Sequence, residues 1–210
     1  MLYKRNQVED AICRIFEANG ERARELKLRL KRLLVTDRRL ARGKATEKRF
    51  AFFSKEAPGS GTEVMFSKYE AFALLAGLRL LEHGIPQATV VSVLRQLRSD
   101  LQNAYRDTLK KDAKSLFDPI AIKAMAKPGM IATDNTAPVF LVVLKLPDST
   151  ADQVHAAMTV CRGHDEVTTF IRKHAAAGPG ATMFEFAGLM HRLAKALSET
   201  RPVRRGRSSI

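Results

Sequence analysis

The side chains of this chain best equipped for chemistry are cations. Nine of them crowd residues 21–42: Arg22, Arg24, Lys27, Arg29, Lys31, Arg32, Arg38, Arg39 and Arg42. They face three acids, Glu21, Glu25 and Asp37. That excess is too skewed for ion-pair lacing along an ordinary solvated helix. What such a face offers is neutralisation of phosphates with release of their counterions. Arginine adds bidentate contact with phosphate or with guanine edges. The expected partner is a nucleic acid.

Other chemistry fits the sequence less well. "PGSGT", residues 58–62, is glycine-rich, but a phosphate-binding loop needs Lys and Ser/Thr directly after its second glycine. Here Thr62 and Glu63 follow Gly61, which supplies no Lys and adds a repelling carboxylate. The dinucleotide fingerprint lacks its third glycine. A turn, with glycine at positive-φ positions, is the better reading. His155, Cys161 and His164 lie close in sequence, but structural zinc needs four ligands. A buried Cys and two surface histidines account for them. No nucleophile elbow or catalytic triad is readable. The sequence makes no case for an enzyme, a metal or a cofactor.

Charge is unevenly spread over the 210 residues. The net charge is +14. Residues 1–50 hold 15 Lys/Arg against 7 Asp/Glu, and residues 51–116 hold 9 against 7. Residues 117–200 balance at 8 and 8, and the last ten residues add four arginines. This asymmetry describes a binding face and a tail. No apolar run approaches the roughly 20 residues that span a bilayer. The opening "MLYKRNQVED" turns acidic where an export signal needs its apolar stretch. Two distant cysteines, Cys13 and Cys161, do not form a disulfide scaffold. A cytoplasmic protein, nucleoid-associated if it binds DNA, is expected.

The basic residues must be held by a helix. Leu26, Leu30, Leu33 and Leu34 give one core stripe over about 21–40. Before it, Val8, Ala11, Ile12, Ile15 and Phe16 predict a helix from Asn6, as N-cap, to about Ala18. "RFAFF" and "TEVMF" flank the Pro-Gly tip and read as a β-hairpin. Ser67 and Glu70 form a capping box for a helix over 68–83 that is apolar nearly all round and hence buried. Gly84 ends it and Pro86 opens the next. There Val90, Leu94, Leu97 and Leu101 step by four, three and four within a single helix over about 86–111. Such a short heptad seam serves either dimerisation or packing within the domain.

The remainder alternates. A strand over 129–133, a turn at Asp134–Asn135 and an apolar strand from Val139 to Leu146 are expected. A helix capped by Thr150 and Gln153 would follow, running to about Cys161. A short element comes next, from Asp165 to His174. A last helix would be capped by Thr182 and Glu185. The arginine tail has no core-forming pattern.

Two N-terminal helices, the second basic, then a hairpin, then "FSKYEAFALLAGLRLLEHGIPQATVVSVLRQL": this order resembles the MerR-type winged helix-turn-helix regulators. The resemblance is best over 49–97, where Phe66 closes the wing, Glu70 opens the next helix, "LRLLEHGIP" makes the turn, and Val90 to Leu94 begin the helix towards a dimerisation coil. This chain departs from the family in its longer first helix, in "EANGERA" for the tight turn, in "RLKRLLVTDRRL" where an aromatic pair would stand, and in its longer tip. The resemblance implies a cytoplasmic, dimeric, DNA-binding transcription regulator. Its metal-sensing members use cysteines near the dimer helix, and this chain has none between 14 and 160.

The expected fold is mainly α with small β elements (α+β). A winged-helix-like domain would cover 1–85, a connecting helix 86–116, a small α+β domain 117–200 and a basic tail 201–210. Double-stranded DNA would meet Lys27, Arg29, Lys31, Arg32, Arg38 and Arg39 on the helix, and Arg49, Lys55, Ser60 and Thr62 on the wing. Val90, Leu94, Leu97 and Leu101 would serve a homodimer. Residues 117–200 would take an effector, contact a protein or complete the dimer. A protein-interaction adaptor docking on an acidic partner and an RNA-binding module are the alternatives.

Overall fold

The computed structural model describes residues 1–41, 50–54, 64–128, 130–145, 156–174 and 180–201. The chain is mainly helical with small antiparallel sheets, an α+β fold. It divides into two compact units, Met1–Arg95 with Arg192–Ile210, and Gln96–His191. The second unit begins inside the segment expected as a connecting helix. No helix among the described residues is long and apolar enough to cross a membrane.

In the first unit, β1 (Tyr3–Lys4) leads into α1 (Arg5–Ile15) and α2 (Gly20–Ala41). Asn6 is not the N-cap of α1. The cap is Lys4, whose N–H donates to Gln7 Oε1 at 3.0 Å, while Asn6 Oδ1 accepts from the Gln7 N–H inside the first turn. Gly20, at φ +55°, opens α2 in a backbone conformation that costs a glycine little. The core stripe of α2 is as expected, with Leu26, Leu30, Leu33 and Leu34 all buried.

The expected hairpin is corrected. Phe50–Ser54 forms no strand, and β2 (Met65–Phe66) pairs antiparallel with β1. The reason is burial. Phe50, Ala51, Phe52 and Phe53 are four consecutive buried residues, whereas a half-solvated strand buries alternate ones. A buried loop must find partners for its backbone. The Asp37 carboxylate, on the core stripe of α2, accepts from the Ala51 N–H at 3.1 Å and the Phe52 N–H at 3.0 Å. Arg95 holds the same carboxylate at 2.7 Å. The rings then interlock, Phe50 edge-on to Phe53 at 5.7 Å and Phe53 beside Phe66 at 6.1 Å.

Helix α3 (Lys68–Glu82) carries the expected capping box: Ser67 Oγ accepts from the Glu70 N–H at 3.2 Å and Glu70 Oε2 from the Ser67 N–H at 2.7 Å. Eleven of its fifteen residues are buried. Gly77 lets neighbours approach, since a Cβ there would lie 3.2 Å from Leu33 Cδ1 and 3.4 Å from Leu94 Cδ1. The expected single helix over 86–111 is two, α4 (Gln87–Gln96) and α5 (Arg98–Lys110), which part at Leu97. Val90, Leu94 and Leu101 are fully buried and Leu97 nearly so. They belong to the cores of their own chain, so they present no exposed seam for dimerisation.

The second unit continues from α5 through α6 (Ala113–Leu116) and α7 (Pro119–Met125) to a three-stranded sheet. The central strand is β3 (Val139–Lys145), flanked by β4 (Ala156–Arg162) and β5 (Ala181–Glu185), all antiparallel. No strand forms over 130–133. Ala156–Arg162 is not the end of a helix: β3 is apolar on both faces and takes it as a ladder partner, Leu141 opposite Val160 and Phe140 opposite Cys161. Thr150 and Gln153 lie outside the described residues. Helix α8 (His164–Lys173), close to the expected element, packs Val167, Phe170 and Ile171 against Phe140, Val142, Leu144 and Cys161. Thr182 lies in β5 rather than at a helix cap.

The last helix, α9 (Ala187–Glu199), begins beside Glu185, whose Oε1 accepts from the Ala187 N–H at 2.8 Å and the Val139 N–H at 3.2 Å. At its far end the Thr200 carbonyl accepts from Gln7 Nε2 at 3.3 Å, pinning the helix end to α1 within the first unit.

Two outcomes follow for stability. Asp37→Ala leaves Arg95 and two backbone N–H groups without their acceptor, so urea unfolding should report a loss of about 3–5 kcal/mol. A loss under about 1 kcal/mol would remove Asp37 from its central role. Burial, first, pushes the Glu185 carboxyl above its usual value near 4.5, against the pull of its backbone N–H partners. A raised carboxyl favours the folded state while protonated and loses that contribution as pH rises through its folded value. Glu185→Gln keeps the accepting oxygen, so its stability relative to wild type should grow as pH rises above about 4.5. A pH-independent difference in urea midpoints would contradict this.

Candidate nucleic-acid interface

An α-helix turns 100° per residue. On α2 the stripe Leu26, Leu30, Leu33 and Asp37 points inward. The line opposite is Arg24, Leu28, Lys31, Val35 and Arg39, and all five are exposed. Lys27 lies on one flank of this crest and Arg32 on the other, both exposed. From Lys27 to Ala41 the one acid is Asp37, and it is buried. The solvent side of that stretch therefore carries cations with no carboxylate of its own helix among them. From Arg24 to Arg39 the crest runs about 22 Å.

The expected contact residues separate into groups. Lys27, Lys31, Arg32 and Arg39 share the exposed side, and Arg24 joins them. Arg29 sits near the inner edge and pairs with Glu25 four residues before it. Arg38 turns back towards the aromatic loop: its guanidinium lies 5.2 Å from the centre of the Phe53 ring, and its Nε is buried without a hydrogen-bond partner among the described residues. Arg38 is thus in part a packing residue, a stem and a cation laid over an aromatic face. Arg49, Lys55, Ser60 and Thr62 lie outside the described residues.

Residues that the composition alone did not single out complete the site. Asp37 and Arg95 fix the roll of α2 from within. The available signal was position: Asp37 stands four residues after Leu33 on the apolar stripe. Thr36 is buried beside them and accepts from Gln87 Nε2, which also donates to the Arg32 carbonyl at 3.2 Å. Helix α2 is therefore held on its inner face by the core and at its edge by the first residue of α4.

The second unit contains a cleft of about 950 Å³, lined by α5, the 124–131 segment and the β4–α8 turn. Its walls include Met125, Met130, Ile131 and Val139, with Lys111 and Lys127 among its charged groups. Arg162 reaches Asp107 at 3.2 Å and His164 Nε2 meets the Ile131 carbonyl at 2.8 Å. Cys161 is inside the sheet, and burial and then the Glu166 charge push its thiol up to about 11. At neutral pH it is a thiol, the form that does not bind metals. His155 lies outside the described residues. Among the described residues no three His, Cys, Asp or Glu side chains are placed to hold a metal ion.

The separation of Arg38 from the other bases is measurable. Arg38→Ala should lower the melting temperature by a few degrees, as loss of a cation–π contact and of a buried stem requires. Lys31→Ala, on the crest, should leave it within about one degree. Equal effects would put Arg38 back among the solvent-facing cations. Comparison with models of known protein families, with curated proteins and with solved structures gives no match.

Proposed function

We propose that the chain binds duplex DNA through the exposed face of α2 and acts as a transcription regulator. The observation that carries this reading is the composition of that face: Arg24, Lys27, Lys31, Arg32 and Arg39 are exposed, and the one acid after Glu25 is buried. A helix 10–12 Å across fits a major groove about 12 Å wide. With the crest in the groove, Lys27 and Lys31 would approach one phosphate wall and Arg32 and Arg39 the other. The buried anchors Asp37 and Gln87 keep the cations in place before binding, which lowers the ordering cost.

The finer reading is a winged helix-turn-helix of MerR-like type. It is supported by the order α1, basic α2, then a helix opened by the Ser67–Glu70 box. In that reading Arg49, Lys55, Ser60 and Thr62 would add contacts to the DNA backbone, and the arginines after 200 would add affinity without sequence preference.

Binding of a mixed-sequence duplex to the full chain should weaken steeply with salt. Five neutralised phosphates give a slope of log Kobs against log salt of about −4 to −5. Lys31→Glu with Arg39→Glu should reduce affinity at low salt by at least tenfold and make the slope shallower by about two. Absence of binding at low salt, or a flat slope, would sink the proposal. Tighter binding to single-stranded RNA or to an acidic protein would transfer the face to that partner.

A further inference from the structure

Two features of the α2 crest are not explained by phosphate neutralisation. Leu28 is 46% exposed and Val35 is 54% exposed. They occupy the line farthest from the core, seven residues apart, within a ring of five cations. A solvent-facing crest has no use for branched aliphatics, and valine is a weaker helix former there than Lys, Arg or Glu. Neither side chain is needed by the core, which Leu26, Leu30, Leu33 and Leu34 already fill. If the surrounding cations grip phosphates, these two side chains are the groups pushed deepest into the groove.

We infer that Leu28 and Val35 read the 5-methyl groups of thymine. This rests on the duplex-DNA reading above. The charge of the surrounding face selects the polyanion. Within the major groove, the apolar feature available to an aliphatic side chain is the thymine C5 methyl. Seven residues of helix rise about 10.5 Å, close to three base-pair steps of about 3.4 Å. The two side chains therefore match methyl groups about three base pairs apart on a groove edge. The cations set affinity and register, and the aliphatic pair sets preference for A·T over G·C at those steps.

The test removes the methyl group alone. Wild-type chain is titrated with an alternating dA·dT duplex and with the same duplex carrying deoxyuridine for thymidine. It is also titrated with a dG·dC duplex, with and without 5-methylcytosine. Covering one methyl is worth about a fourfold change in affinity, so two should give about fifteenfold weaker binding to the uridine duplex. Methylated cytosine should tighten binding to the G·C duplex. The Leu28→Ala, Val35→Ala double variant removes side chains that are about half exposed and lie outside the core. It should fold with an unchanged circular dichroism spectrum, keep its salt slope and bind thymidine and uridine duplexes equally. Equal wild-type affinity for the two duplexes would overturn the methyl reading, while a steep salt slope in the same titration preserves the DNA reading. No duplex binding at low salt overturns both. A double variant that still prefers thymidine would also overturn the assignment, since the methyls would then be read elsewhere.

Discussion

The carboxylate of Asp37 organises the first unit. It is fully buried, and an isolated buried carboxylate is costly unless it is paired and hydrogen-bonded. Here it accepts two backbone N–H groups of the aromatic loop and the guanidinium of Arg95. Arg95 also donates to the Asp37 backbone carbonyl and lies 6.0 Å from the centre of the Phe50 ring. One side chain thus ties together α2, the loop that follows it and the end of α4. Without it, four consecutive buried residues would bring unsatisfied backbone polar groups into the core. A more apolar residue at 37 would suit the stripe of α2 but would remove the carboxylate that the Ala51 and Phe52 N–H groups bond.

The same constraint explains why the outer face of α2 is so one-sided. The acid that would otherwise balance Arg38, Arg39 and Lys31 is committed to the interior. Because Asp37 fixes the roll of the helix, the cations are held on the far side rather than averaged around it. Net charge alone would make the chain a general polycation; its confinement opposite a buried anchor makes a face. The contrast between Arg38, laid over Phe53, and Lys31 or Arg39, exposed on the crest, has the same origin. Position on the helix relative to Asp37 decides which cations pack and which stay exposed.

Local signals were legible in the sequence, and distant pairings were not. The Ser67–Glu70 box and the leucine stripe of α2 involve residues three or four apart, and both are formed as read. The aromatic stretch 50–53 looked like a strand because aromatic residues favour strands. Its backbone partner, however, is a side chain on the preceding helix, some fourteen residues back. In the same way Ala156–Arg162 follows a helix-like start, yet pairs with β3 because that strand is apolar on both faces and needs a neighbour on each edge. Met158, Thr159, Val160 and Cys161 carried a β signal that the preceding alanines obscured. The heptad steps of Val90, Leu94, Leu97 and Leu101 were real, but spacing does not say whether the covering surface comes from the same chain. Gly77 in α3 is part of the answer, since it opens the space that Leu94 enters.

The candidate site shows the same pattern from the other side. The basic residues were visible as composition, but composition does not separate Arg29, paired with Glu25, or Arg38, packed on Phe53, from the five cations that remain exposed. Nor does it draw attention to Leu28 and Val35, which in a sequence read simply as more apolar residues of a leucine-rich helix. Only the direction of the core distinguishes them from Leu26 and Leu33. Once Asp37 sets that direction, an apolar pair inside a ring of cations is left facing outward. Charge alone has no use for that arrangement, whereas a grooved polyanion with methyl groups on its floor does.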